Sequence, residues 1–163
     1  MGGIRVLTLV AVALGSNLGD RRAHLDHARA RLGAAFADFL CSSYVETDPV
    51  GVGAQPLFLN AAAVGTTALE PRALLEALMA IERERGRERP APGAARTLDL
   101  DLILYGARVV EEGGLIVPHP RFRERRFVLG PLAEIAPDLV DPVTGKTVGE
   151  ILKELNQALD SGL

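Results

Sequence analysis

The stretch RTLDLDLILYG, Arg96 to Gly106, carries two acids two residues apart in a run that otherwise reads as a buried strand. Successive strand side chains alternate faces, so Asp99 and Asp101 share one side, about 6–7 Å apart, while Leu98, Leu100 and Leu102 take the other. Two carboxylates that close repel each other, and hard divalent cations relieve the repulsion. Magnesium binds through one or two carboxylates plus substrate phosphates, so this pattern suits a nucleotide-dependent transferase. The bland alternative is a solvated sheet face, because D-x-D is a common string.

Arginines shift that balance. Arg96 precedes Asp99 by three residues, and ERERGRERP puts Arg87 and Arg89 just past a helix end, where a guanidinium reaches a phosphate beside a sheet. Glu82, Glu84 and Glu88 are interleaved with these arginines, and exposed i,i+4 pairs contribute only a few tenths of a kcal/mol. Arg83 and Arg85 are assigned to such a lattice; Arg87, Arg89 and Arg96 are assigned to an anion. VPHPRFRERRF adds His119 in a proline-bracketed loop, followed by Arg121, Arg123, Arg125 and Arg126. His24 and His27, three apart with no further ligands, read as surface. Gly145-Lys146-Thr147 is the tail of a phosphate-loop string, but position 140 is valine where that loop needs glycine.

The elements that must hold these residues belong to one domain spanning 1–163, long enough to bury a core without a metal or disulfide. The single cysteine, Cys41, precludes an intrachain disulfide and points to a reducing, cytoplasmic setting. A net charge of -3 argues against nucleic-acid or membrane binding, whereas two basic segments in an acidic chain suit a small anionic ligand. IRVLTLVAVALG has the length of a signal-peptide core, but its arginine lies inside the run and its β-branched residues favour a strand. No segment reaches the roughly 18 apolar residues that a membrane span needs.

Strands are expected at 4–14, 37–47, 56–67 and 97–105, and helices at about 20–32 and from Pro71 to Gly86. DPVGVGAQP reads as a ligand loop between the second and third strands. The order is βαββαβ, a ferredoxin-like α+β arrangement: an antiparallel sheet with two helices on one face. The last third adds short strands near Val109–Val110 and Leu115–Val117, a helical stretch near Arg125–Ile135, and a final helix near Val148–Leu159.

Taken together, ALGSNLGD, SSYVETDPVG, FLNAAA, IERERGR, RTLDLDLILYG and VPHPRFRERRFVLGPLAEIAPDL resemble the 6-hydroxymethyl-7,8-dihydropterin pyrophosphokinase family. The blocks occur in family order from residue 13 to 139. The resemblance implies a monomeric ferredoxin-like enzyme that moves diphosphate from ATP to the pterin hydroxymethyl group and releases AMP. It implies that Asp99 and Asp101 bind two Mg2+ ions. Glu82, Arg87, Arg96, Leu102, His119 and Arg125 then fall on nucleotide-site positions, and Arg89 on the loop that closes over substrate. For the pterin it implies Asn60 as the pairing amide, Thr47, Pro49 and Val50 as loop contacts, and Phe58 with Phe127 as the stacking pair. From the residues alone, both phenylalanines read as plain core packing.

The chain departs from the family pattern where PAPGA replaces an Arg-Trp pair before RTLDLD, and where Gly114, Ile116 and Met79 replace common Arg, Thr and Gln. No residue type stands out as a base. Two other readings use the same features: a small-molecule kinase that transfers only the γ-phosphoryl group, which would make ADP, and a ferredoxin-like ligand sensor, which would show no magnesium dependence.

Overall fold

The computed structural model describes residues 6–47, 57–86 and 97–161. Its elements are β1 (Thr8–Ser16), α1 (Arg21–Ala35), β2 (Ala37–Cys41), β3 (Val45–Thr47), β4 (Phe58–Thr67), α2 (Pro71–Glu84), β5 (Asp99–Tyr105), β6 (Val110–Glu112), β7 (Leu115–Val117), α3 (Arg126–Ile135) and α4 (Val148–Asp160). A 3-10 turn, Phe122–Glu124, leads into α3.

The helix ends follow local chemistry. Asp20 Oδ1 accepts from the Ala23 N–H at 3.0 Å and caps α1. Pro71 opens α2, whose Leu74, Leu78 and Ile81 are buried at helical spacing, and Gly86, at φ 75°, lets the chain turn out of the last turn. Thr147 and Glu150 form a reciprocal capping box on α4. The Gly145-Lys146-Thr147 string therefore starts a helix through a side-chain cap.

In the main sheet β1 lies between β4 and β5, antiparallel to both, and β2 and β3 pair with successive stretches of β4. The single strand expected over 37–47 is two strands. The main chain leaves the ladder after Ser42, whose Oγ takes the Ala62 N–H at 2.9 Å. At the other end of β2, Gly65 lets Phe36 press onto β4: a Cβ there would lie 2.6 Å from Phe36 Cβ.

Helices cover both faces of the sheet, beyond the single layer expected. Val10, Val12, Leu14, Leu100 and Leu102 pack under α1 and α2. Ala11, Ala62, Val64, Ile103 and Leu104 pack under Phe122, α3 and α4. The reason lies in β1 and β4, whose cores VAVAL and AAAV are apolar on alternate and intervening positions alike, so both faces need cover.

A bulge interrupts β5. Val10 pairs with Tyr105 and Ala11 with Leu104, but Val12 pairs with Leu102, so Ile103 is the extra residue. The insertion turns Ile103 and Leu104 toward the same layer and gives the segment 99–102 a register of its own.

Candidate active site

The strand pairings bring the chemistry-bearing residues to one end of one face. Asn60 pairs with Gly15, which pairs with Asp99; Ala62 pairs with Ala13, which pairs with Asp101. Side chains directly opposite across a sheet point the same way, so Asn60, Asp99 and Asp101 share a face, with Phe58 two residues before Asn60. The opposite face carries Leu14, Leu100 and Leu102 in the apolar core. Asp99 and Asp101 are half-buried, and Asn60 is only 5% exposed.

Gly15 is the floor of this end. A Cβ there would lie 3.2 Å from Asn60 Oδ1 and 3.7 Å from Phe58 Cδ1, so the missing side chain leaves room for both to lie over the strand. Asn60 Nδ2 donates a hydrogen bond to Thr47 Oγ1, which orients the amide. Thr47 itself is placed opposite Phe58 by β3. Gly15 reads in the sequence as the start of a turn, and only its strand partners reveal what its lack of a side chain does.

The loop after β7 supplies the other wall. The His119 N–H donates to Ile103 O at 2.9 Å, which ties the loop to β5 at its bulge. The Arg121 N–H donates to His119 Nδ1 at 3.1 Å, so a neutral ring carries its proton on Nε2 and is a donor there. Burial lowers the His119 pKa, the charge of Arg125 lowers it further, and Asp99 partly opposes them. Near neutrality the ring is a neutral donor. Arg125 also lies over the Phe127 ring, 5.5 Å from its centroid, at the entrance of α3.

The structure sorts the arginines. Arg123 is held by the fully buried Asp141 through Nε at 2.6 Å and NH2 at 3.0 Å, and Arg121 pairs with Glu124. Among the described members of the second basic segment, Arg125 is the one beside His119 and Phe127. In the first segment, Arg85 and Glu84, expected in a helix-surface lattice, make bonds between helices. Arg85 Nε donates to His24 Nδ1 at 2.9 Å, and Glu84 takes Arg31 at 2.9 Å and His27 at 2.8 Å. The two histidines expected at the surface thus join α1 to α2.

Glu82 is buried, at 4% exposure, and its Oε2 accepts the Leu100 N–H at 2.8 Å. Leu102 is also buried, its side chain in the α1/α2 core. Pro49, Val50, Arg87, Arg89 and Arg96 lie outside the described residues.

Residues 11–137 match the family model described as 7,8-dihydro-6-hydroxymethylpterin-pyrophosphokinase. The chain belongs to this family. A relative from Synechocystis, named 2-amino-4-hydroxy-6-hydroxymethyldihydropteridine pyrophosphokinase, is 42% identical over 147 residues, 89% of this chain and 75% of the relative. One of the same name from Bacillus subtilis is 50% identical over 126 residues, 76% of this chain and 75% of the relative. The crystal structure of Plasmodium falciparum HPPK-DHPS with pterin and p-hydroxybenzoate superposes with a TM-score of 0.78 at 13% identity. That match covers 99% of this chain and 45% of the other, so it speaks for the fold, and the chain spans under half of that longer protein. The matched residues include the D-x-D strand of this chain, Asn60 and the segment from His119 to Phe127; Asp141 lies beyond them. Among the described residues no helix is long and apolar enough to cross a membrane.

Proposed function

We propose that this chain transfers the terminal diphosphate of ATP to the hydroxymethyl oxygen of 6-hydroxymethyl-7,8-dihydropterin and releases AMP, a step of folate synthesis. The observation that carries this is the row Asn60, Gly15, Asp99. It sets an amide suited to a ring edge beside a carboxylate pair suited to phosphate-bound cations, on one open stretch of sheet. Membership of the pyrophosphokinase family supplies the reaction class.

The donor set fits magnesium. Among the described residues no three His, Cys, Asp or Glu side chains gather into a closed cage. A carboxylate pair is what Mg2+ takes when phosphates and waters complete its shell. Asp99 and Asp101 would hold two such ions, which when bound neutralise phosphate charge.

The remaining roles fall to the chain itself. Asn60 pairs with the pterin edge in the orientation that Thr47 fixes, and Phe58 and Phe127 stack on the ring, worth about 0.5–1.5 kcal/mol per aromatic pair beyond area burial. A ring that leaves the buried amide unpaired is rejected. His119 donates through Nε2 to the nucleotide phosphates and Arg125 adds fixed positive charge. Leu102 serves the nucleotide through its main chain. Arg87, Arg89 and Arg96, with Pro49 and Val50, complete the two sites. The substrate oxygen bonds to the β-phosphorus, the bond from that phosphorus to the α,β-bridging oxygen breaks, and AMP leaves with the bridging oxygen while the hydroxyl proton is released. Such transfer depends on positioning and charge stabilisation, which this face provides.

The strand order, with β1 central and β2 and β3 at the far edge of β4, supports the ferredoxin-like reading. The single cysteine and modest negative charge support a cytoplasmic protein acting on small molecules. The deciding experiment mixes the protein with ATP, Mg2+ and hydroxymethyl-dihydropterin and resolves the nucleotides. AMP should appear in step with diphosphorylated pterin. ADP as the nucleotide product would replace this reading with a γ-phosphoryl kinase.

A further inference from the structure

The pterin side of the site hangs on a short ladder. β3 is three residues long and, among the described strands, pairs only with β4. Thr47 and Phe58 form its last rung before residues 48–56, and a terminal rung, supported from one side only, is where a ladder opens first. That rung carries two of the groups assigned to the pterin. Phe58 is one of the stacking rings, and Thr47 Oγ1 accepts from Asn60 Nδ2 and so sets the pairing amide.

One side chain ties both strands at this end. Arg21, the first residue of α1, donates from Nη1 to Leu57 O at 2.8 Å and from Nη2 to Glu46 Oε1 at 2.6 Å. Leu57 immediately precedes Phe58 and Glu46 immediately precedes Thr47, so the guanidinium spans the terminal rung from one strand to the other. Glu46 stands opposite Leu59, whose side chain lies in the α1/α2 core, whereas Thr47 and Phe58 face the other way with Asn60. Arg21 therefore works from the back of the sheet, on the face away from the groups assigned to the pterin. A planar guanidinium holds two acceptors in a fixed relation, which an ammonium of the same charge does not. The Asp20 cap fixes the helix start from which Arg21 reaches.

We infer that Arg21 is a positioning residue: it clamps the Thr47–Phe58 rung from behind and thereby holds the stacking ring and the Asn60 amide in the geometry that receives the pterin. This rests on the reading of Asn60 and Phe58 as the pterin contacts. Arg21 acts through the two strands, and its two-point geometry matters more than its charge.

Three variants separate geometry from charge. Arg21→Met keeps an apolar stem and loses the donors, Arg21→Lys keeps the charge and loses the planar fork, and Glu46→Gln keeps the Leu57 tie and a neutral acceptor. Each is read by steady-state kinetics and by hydrogen exchange of the substrate-free protein over residues 45–47 and 61–64, followed by mass spectrometry. Arg21→Met and Arg21→Lys should each raise KM for the pterin about 10-fold, the scale of a lost hydrogen bond to a charged group. KM for ATP and kcat should hold, because a loosened rung weakens pterin binding in the ground and transition states alike. Exchange should accelerate over 45–47 and stay slow over 61–64, in the interior of β4. Glu46→Gln should raise KM for the pterin by less than about 3-fold, the scale of an exposed ion pair. The inference is overturned if Arg21→Lys matches wild type, since charge alone then suffices, or if KM for ATP rises as much as KM for the pterin. Unchanged exchange over 45–47 in the Arg21 variants, or a larger defect in Glu46→Gln than in Arg21→Lys, overturns it as well. Should Arg21→Met fail to fold, Arg21→Lys and Glu46→Gln decide the matter by the same readouts. Failure of the parent reading looks different: wild-type protein then makes no AMP from the pterin, whatever the exchange over 45–47 shows.

Discussion

One face of one sheet is finished in two ways. Toward the Val10 end, Ala11, Val64, Ile103 and Leu104 lie under Phe122, Val128 and Leu129, all at most 4% exposed. Toward the Gly15 end the same strands carry Gly15, Asn60, Asp99 and Asp101, with Phe58 and Phe127 only part-buried. Helix α3 covers one half and, among the described residues, stops short of the other, with Arg125 and Phe127 at its entrance on the boundary. The covered half anchors strands whose open half carries polar groups that a core would not tolerate unpaired. Stability and chemistry are thus separated along the strand direction, and substitutions in the two halves should affect different measurements.

The largest expected effect lies in the covered half. Phe122 is fully buried, and Phe122→Ala should lower stability by about 3–5 kcal/mol, the range for a large aromatic lost from a packed core. Urea unfolding checks this, with the KM for pterin unchanged in the fraction that stays folded. A small stability loss would mean that the Phe122 turn is not what anchors the sheet. In the open half, Asp101→Ala should lower kcat by about 10²- to 10³-fold, the scale of one lost electrostatic stabiliser, while the urea midpoint holds. If Asp101→Ala unfolds the protein and leaves the rate per folded molecule intact, the two halves are not functionally distinct.

How much of this division shows in the sequence depends on the range of the physics. Period-two alternation places Asp99 and Asp101 on one side and the leucines on the other, and the helical spacing of Leu74, Leu78 and Ile81 marks α2, because both signals are local. The Ile103 bulge is not local: LDLDLILY reads as one unbroken strand, and the shift exists only relative to β1. The same holds for Glu82, which in IERERGR looks like one more surface acid and is in fact buried against Leu100. Arg123 and Asp141 are 18 residues apart, so nothing in RFRERRF tells Arg123, committed to a buried acid, from Arg125, which stands beside His119. Residue type and spacing identify the groups able to do chemistry; the fold decides which are already engaged.

A smaller change tests the boundary itself. In Gly15→Ala the new Cβ would stand 3.2 Å from Asn60 Oδ1, so the amide must move by a few tenths of an ångström. A misaligned hydrogen bond of ordinary strength corresponds to about a tenfold rise in KM for the pterin, with KM for ATP unchanged. An equal rise in both constants would mean that Gly15 serves the whole cleft and not the Asn60 side of it.

The subtlest test sets the ion pairs of the two faces against each other through pH and salt. On the α3/α4 side Asp141 is fully buried. Burial pushes its carboxyl upward, but Arg123, the Thr144 hydroxyl and the Val143 N–H together hold it below the usual carboxylate range. On the α1/α2 side the exposed Glu84 carboxyl is pulled down to about 2, chiefly by its hydrogen bonds to Arg31 and then His27. Both acids have folded pKa values below their unfolded ones. Their contributions are therefore complete above the ordinary carboxylate pKa and are lost as pH falls through the folded value. Melting temperature should fall between about pH 4 and pH 2, and each acid-to-amide variant should flatten part of that fall. Salt tells the two apart. At 1 M salt the Debye length is about 3 Å, so the Glu84 contribution should largely vanish while that of Asp141, shielded from solvent, persists. Asp141→Asn should flatten the acid limb at both low and high salt, and Glu84→Gln only at low salt. Equal salt sensitivity would mean that Asp141 opens to solvent before the domain unfolds, and that the C-terminal layer is a looser cover than its buried side chains suggest.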